Sequence, residues 1–285
     1  MKFSLIIPTY NNLQYLKNFI HSIKINSHYK HQIIIHVNEG KDGTLEYLKK
    51  KNIEFTYSEK NIGLCDAVNA ASLKAKENYI MYTHDDMFFC NNWDIELEKD
   101  INNLNTKYFY ISGMNISNRG GGYIDYDCGD NPTNFDEKKF NEFCLNDNTC
   151  DLQGSHWAPH IVHKDLWTLV GGFSPEFNPG DGSDPDFCLK LWNANVRIFK
   201  ALSKFKVYHF GSVTIRKNKN IIKNNGTKKF ILKWGFSPRF FRKYYLKGEN
   251  HNVYNGPLTK PLYSTQMLLN LIINKLKFLY YKVTF

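Results

Sequence analysis

The first third of the sequence switches repeatedly between apolar runs of strand length and amphipathic stretches of helix length. This alternation restricts the fold more than any other feature. Residues 3–7 (Phe-Ser-Leu-Ile-Ile) are short and apolar, whereas residues 13–25 put Leu13, Leu16, Phe19, Ile20 and Ile23 on one helical face. Residues 33–37 read as a second strand, 44–51 as a short helix and 53–57 as a third strand. After a turn at Asn61-Ile62-Gly63, a helix to about residue 76 leads into a fourth strand at 79–83. Strands joined by helices predict an α/β fold: a mainly parallel, Rossmann-like sheet with helices on both faces.

The remainder is less regular. Residues 115–151 are rich in Asn, Gly and Asp with scattered aromatics and read as a long loop. Order resumes with a strand over 158–163, a short helix closed by Gly171-Gly172, a helix starting at Asp184-Pro185 and a strand over 206–208. This divides the 285 residues into one domain over 1–215, with halves 1–105 and 106–215, and a basic, aromatic, helical extension over 216–285. Apolar residues at 42% and charged residues at 22% exclude a disordered or fibrous chain.

The net charge of +10 suits nucleic acid, anionic lipid or a phosphorylated ligand. The basic residues are spread out, with small clusters only at Arg216-Lys217 and Lys228-Lys229, and accompany no recognition motif, so no nucleic-acid partner is expected. Six cysteines without a CxxC pair read as reduced thiols. The first ten residues lack a signal-peptide core, and no run approaches the roughly 20 apolar residues of a membrane span, which predicts a cytoplasmic protein. Residues 267–285 mix Leu268, Leu269, Ile272, Ile273, Leu276 and Leu279 with Lys275, Lys277 and Lys282. That pattern fits a helix lying peripherally on a membrane surface, or one packed on the domain or on a partner chain.

Ligands bind an open α/β sheet at the carboxyl ends of its strands. Three such ends carry polar residues that packing does not require: Pro8-Thr9-Tyr10-Asn11-Asn12, Asn38-Glu39-Gly40-Lys41-Asp42-Gly43-Thr44 and His84-Asp85-Asp86-Met87. Adjacent carboxylates at Asp85 and Asp86 repel one another, which a divalent cation relieves; a turn and helix cap is the alternative. Within Gly154-Ser-His-Trp-Ala-Pro159, Trp157 suits either stacking on a sugar ring or core packing, and His156 and His160 read as structural. Asp184 followed by Pro185 would also serve as a helix N-cap.

The segment Ser4 to Asn12 (Ser-Leu-Ile-Ile-Pro-Thr-Tyr-Asn-Asn), Val37-Asn-Glu-Gly-Lys-Asp-Gly-Thr44, Asn61-Ile-Gly-Leu-Cys-Asp-Ala-Val-Asn69 and Tyr82-Thr-His-Asp-Asp86 occur in that order. Val170-Gly-Gly-Phe173, Ser183-Asp-Pro-Asp-Phe187 and His209-Phe-Gly-Ser212 follow. Together they resemble the family-2 glycosyltransferases of GT-A fold over about residues 3–212. The resemblance implies a metal-dependent, inverting hexosyltransferase that uses a nucleotide-sugar donor, UDP-sugar foremost. The acceptor would be a hydroxyl of a glycan, a glycolipid, a lipid-linked saccharide or a protein-linked one.

By the same resemblance, Glu39 would accept from the nucleobase imide, with Pro8, Thr9 and Tyr10 flanking the base and Asn61 and Asp66 on the donor side. Asp86 and His209 would hold Mn²⁺ or Mg²⁺ against the diphosphate, and Asp85 would contact ribose or a metal-bound water. Asp184 would be the general base, with Asp186 its competitor on the acceptor side beside Trp157. The sequence departs from the family pattern at His84 and Asn38, where aspartates are usual. A catalytically inactive sugar-nucleotide-binding relative is the alternative, and a basic nucleic-acid-binding protein is the rival from another class. A nucleotidyltransferase would need a glycine-rich phosphate loop near the N-terminus, which the sequence lacks.

Overall fold

The structure, a computed structural model, describes residues 1–119, 123–154, 157–211 and 224–284. The first half follows the alternation in the sequence: β1 (Ser4–Tyr10), α1 (Leu13–Asn26), β2 (Gln32–Asn38), α2 (Thr44–Lys51), β3 (Glu54–Ser58), α3 (Leu64–Ser72) and β4 (Tyr79–Tyr82). Leu16, Phe19, Ile20 and Ile23 bury the predicted face of α1, while Lys17 and Lys24 stay outside. Its first turn is held from a distance: the Leu13 N–H donates to Asp42 Oδ2 at 2.7 Å, and Asp42 Oδ1 accepts from the Thr44 hydroxyl at 2.6 Å. One carboxylate thus joins the starts of α1 and α2.

Next come β5 (Met87–Phe89), α4 (Trp93–Leu104), β6 (Phe109–Ser117), β7 (Ile124–Asp125), α5 (Glu137–Asn146), β8 (Leu152–Gln153), β9 (His160–His163) and α6 (Lys164–Val170). A single 3-10 turn (Pro175–Phe177), α7 (Ser183–Asn193) and β10 (Ile198–His209) complete the sheet region, and α8 (Gly226–Trp234), α9 (Pro238–Tyr244) and α10 (Thr265–Thr284) follow. The sheet order is β3-β2-β1-β4-β9-β6-β10-β5, with β7 beside β6 and β8 beside β10. Neighbours in β3-β2-β1-β4 are parallel, β9 is antiparallel to both β4 and β6, and β10 is again parallel to β6. The strands β1, β2, β4 and β10 therefore all end at the same edge of the sheet.

Two expectations are corrected. The stretch 115–151 is not one loop: β6 runs into it, and α5 forms within it behind Asp136, whose side chain accepts from the Lys139 N–H at 2.9 Å. Its scattered aromatics are the packing residues, with Phe140 fully buried and Tyr126 stacked on Phe143 at 4.1 Å. The strand expected at 206–208 is the end of β10, twelve residues long. Lys200 and Lys206 interrupt its apolar pattern yet are buried, because Lys200 meets Asp151 at 2.7 Å and also Asp100, and Lys206 meets Asp147 at 3.1 Å.

The extension shares the core of the sheet region. Phe230, Phe241, Leu246 and Leu258 belong to the same buried cluster as Phe3 and Trp93. Among the described residues, no helix is long and apolar enough to cross a membrane.

Candidate functional site

At the ends of β1 and β2 the chain turns through Asn11 (φ +48), Glu39 (φ +63) and Gly40 (φ +68). A Cβ on Gly40 would collide with Val37 and Leu45, so this turn needs a glycine. The Tyr10 hydroxyl donates to Glu39 Oε1 at 3.3 Å and Lys41 pairs with Glu39 Oε2 at 2.9 Å. Hydrogen bonding to the Lys41 ammonium holds the Glu39 carboxyl below the usual carboxylate range. Asn38, where the family pattern has an aspartate, uses its amide oxygen to accept from the Ser58 hydroxyl at 3.2 Å and the Ile62 N–H at 2.9 Å.

The end of β4 separates its two carboxylates. Asp85 turns inward, accepting from the Thr9 hydroxyl at 2.6 Å and from Asn12 Nδ2 at 3.1 Å. It braces β4 against the end of β1. Asp86 leads directly into β5, which pairs antiparallel with β10 so that Met87 lies opposite His209, and the Phe210 N–H donates to the Asp86 carbonyl at 3.1 Å. This pairing brings together residues 123 positions apart: His209 Nε2 lies 3.3 Å from Asp86 Oδ1.

His84 completes the group. Its Nδ1 lies 3.9 Å from Asp86 Oδ1, and ligand atoms of His84, Asp86 and His209 all fall within 4.8 Å of one another. His84 Nε2 is 2.9 Å from the Tyr82 hydroxyl, and an Nε2–H donated to that oxygen leaves the Nδ1 lone pair free for a cation. Burial lowers the His84 pKa to about 4, so the ring is neutral near pH 7. Two imidazoles and a carboxylate fit a borderline cation such as Mn²⁺ better than Mg²⁺, which favours oxygen ligands and water. The sequence pointed to Asp86 and His209. His84 was a departure from the pattern there, although its i, i+2 spacing from Asp86 at a strand end was the available signal.

Asp184 lies in the first turn of α7. The N-cap of α7 is Gly182 (φ +89), not Asp184, which sits in the first helical turn and makes no capping bond. Its Oδ1 is buried and has no hydrogen-bond partner among the described residues. Burial raises its pKa from an ordinary 3.8 to about 7. Burial also raises the Tyr82 hydroxyl pKa, reinforced by the charges of Asp184, Asp86 and Asp85.

Asp186 is differently placed. It is fully buried, its Oδ2 accepts from the Ser174 hydroxyl at 2.6 Å, and its Oδ1 accepts from Trp234 Nε1 at 2.8 Å and pairs with Lys233 at 2.8 Å. Oδ1 joins α7 to α8 and Oδ2 ties α7 to Ser174 before the 3-10 turn, so both oxygens are occupied, which argues against an acceptor contact through Asp186.

Asp66 and Asn61 have local partners. Asp66 Oδ2 accepts from Asn178 Nδ2 at 2.6 Å, and Asn178 Oδ1 accepts from the Cys65 N–H at 2.9 Å. Asn178, which the sequence did not single out, thereby clamps the start of α3. Asn61 accepts from the Gly63 N–H at 2.9 Å and shapes the turn before α3. Trp157 has a left-handed backbone (φ +61), its carbonyl accepts from the Tyr110 hydroxyl at 3.1 Å, and its ring is half-buried against the core. His160 is fully buried and stacks on Phe187 at 5.3 Å, a core histidine. His156, Ser212 and the Arg216-Lys217 cluster lie outside the described residues.

The chain matches the model of the glycosyl transferase family 2 over residues 4–158. That span holds Glu39, His84 and Asp86 and stops before Asp184 and His209. No curated protein matches the chain. Among solved structures it is similar to S. aureus TarS 1–349 in complex with UDP, at 17% identity and a TM-score of 0.54, covering 73% of this chain and 60% of that one. The same protein in complex with UDP-GlcNAc aligns at 18% identity and a TM-score of 0.51, covering 75% and 61%. TarS 1–349 by itself aligns over all of this chain and 72% of its own length, at 15% identity and a TM-score of 0.55. The two ligand-bound structures are thus spanned over less than two thirds of their length, and at these identities the likeness is one of fold.

Proposed function

Because the chain belongs to glycosyl transferase family 2, we propose that it transfers a sugar from a UDP-sugar to a hydroxyl of a glycan, glycolipid or protein-linked acceptor, with inversion at the anomeric carbon. The observation that carries this reading is the Asp184 carboxylate: its Oδ1 is buried with no hydrogen-bond partner among the described residues, and burial raises its pKa to about 7. A general base works best with a pKa close to the operating pH.

In this reading Asp184 takes the proton of the acceptor hydroxyl as that oxygen attacks the anomeric carbon, and a single displacement inverts its configuration. Glu39 and Tyr10 receive the uracil edge, with Pro8 and Thr9 beside it, and Asn61 and Asp66 line the donor side. Thr9 contributes chiefly by fixing Asp85. His84, Asp86 and His209 would hold Mn²⁺ or Mg²⁺, which supplies charge neutralisation at the donor diphosphate. Trp157 belongs to the acceptor side. A lipid-linked acceptor belongs to the same reading. The uridine nucleotides named for the two TarS complexes support the choice of donor.

The test is a thermal-shift comparison of UDP, GDP, dTDP and CMP, each with Mn²⁺, Mg²⁺ or EDTA, on the wild type and on Asp86→Asn. UDP with Mn²⁺ at about 100 times its Kd should add about 2.7 kcal/mol of stability, a shift of several degrees. EDTA or Asp86→Asn should abolish most of it. Equal shifts in the presence of EDTA would refute the metal assignment, and no shift with any nucleotide would refute the donor site.

A further inference from the structure

The last helix, α10, is docked along one side and apolar along the other. Met267, Asn270, Asn274 and Tyr281 form its inner side: Met267 and Asn274 are buried, Asn274 Oδ1 accepts from the Ser237 N–H at 2.8 Å, Asn270 Nδ2 donates to the Tyr244 hydroxyl at 2.6 Å, and Lys228 of α8 lies 5.1 Å from the Tyr281 ring centre. At 3.6 residues per turn, Leu268, Ile272, Leu276, Leu279, Tyr280 and Val283 fall on the opposite side, within an arc of about 120°. All six are exposed, Leu276 by 62% and Val283 by 87%. On the same projection the exposed Lys275 and Lys282 lie along one border of that arc and Lys277 along the other.

Charge decides what this face meets. Between residues 187 and 285 the chain has 20 Lys and Arg but a single acidic residue, Glu249, and none from 250 onward. Glu249 is itself taken by Arg239 at 2.8 Å and Lys243 at 3.6 Å. A second copy of α10 laid on this face would bring lysine borders together with no carboxylate on the helix to neutralise them. A nucleic acid would leave the apolar arc uncovered. An anionic lipid surface satisfies both parts, because acyl chains cover the arc while the lysines reach phosphates on either border.

We infer that α10 is an in-plane anchor that seats this protein on the surface of an anionic phospholipid bilayer, with its apolar arc in the acyl boundary and Lys275, Lys277 and Lys282 among the headgroups. The inference stands independently of the sugar-transfer reading, since none of these residues lies in the candidate site.

The experiment is vesicle flotation of the full chain in 0.1 M salt, with pure phosphatidylcholine vesicles and with vesicles containing one-third phosphatidylglycerol. The wild type should float with the anionic vesicles and weakly or not at all with the neutral ones. Lys275→Ala/Lys277→Ala/Lys282→Ala should lower the anionic partition coefficient about a hundredfold, at about fivefold per lysine. Leu276→Asn/Leu279→Asn, at two exposed positions, should lower it at least as much while leaving the melting temperature of the free protein unchanged. No flotation of the wild type, equal flotation with both vesicle types, or unchanged flotation of the leucine variant would overturn the inference. So would a dimer in light scattering that the leucine variant disperses while vesicles fail to bind, which would assign the face to a second copy.

Discussion

Replacing Asp184 with asparagine should make the protein less active and more stable at once, and the two effects share one cause. The native site holds this carboxylate at a pKa of about 7 instead of 3.8 because it is buried. The folded state therefore binds the proton more tightly than the unfolded chain does. Stability contributed by that proton is fully present below pH 3.8 and is lost as pH rises toward about 7, after which the loss is constant. The gap between the two values corresponds to about 4 kcal/mol, the upper bound on what the ionised group costs. An asparagine of the same shape never ionises. Asp184→Asn should thus match the wild type in melting temperature near pH 4 and exceed it by several degrees at pH 8, measured in EDTA without nucleotide. Turnover should fall by about 10²–10⁴, the usual contribution of a general base. In the wild type, kcat/KM should rise about tenfold per pH unit below pH 7 and flatten above it. A variant whose stability gain is the same at pH 4 and pH 8, or one that keeps its turnover, would refute the reasoning.

Asp186→Asn should do the reverse. It leaves the Lys233 ammonium facing a neutral amide between α7 and α8, which should cost about 3 kcal/mol in denaturant unfolding while the pH midpoint of kcat/KM in the surviving enzyme stays in place. Gly63→Ala puts a Cβ into Asn178 at a backbone φ of +85. It should cost about 1–3 kcal/mol in the same assay and raise the KM for the donor, because Asn178 must release Asp66 and the start of α3.

Much of the parallel half was legible because nothing there contradicts its apolar runs. Residues 3–7, 33–37 and 79–83 anticipated β1, β2 and β4. The other half was obscured where tertiary partners override local character. Only 206–208 of β10 was seen, because Lys200 breaks its apolar run and the carboxylates that bury this lysine, Asp100 and Asp151, come from elsewhere in the chain. The helix α5 was lost among Asn and Asp, though Asp136 three residues before Lys139 is a capping signal. At the site, Asp86 and His209 were found by pattern, but their contact depends on β5 pairing with β10, which no local periodicity announces. His84 was read against a family aspartate and so seemed a loss. In three dimensions it supplies a nitrogen on the same side as Asp86.

The bonds from Asp186 to Trp234 and Lys233 carry a consequence for how this chain can be divided. A module cut after β10 would keep every residue assigned to donor, cation and proton transfer, yet it would strand a fully buried anion at the root of the helix that presents Asp184. The tail thus braces the helix that carries Asp184, and a chimera that exchanged it for that of a relative should lose stability without touching any group assigned to the reaction. The anchoring of that helix therefore depends on a part of the chain that the family model does not reach.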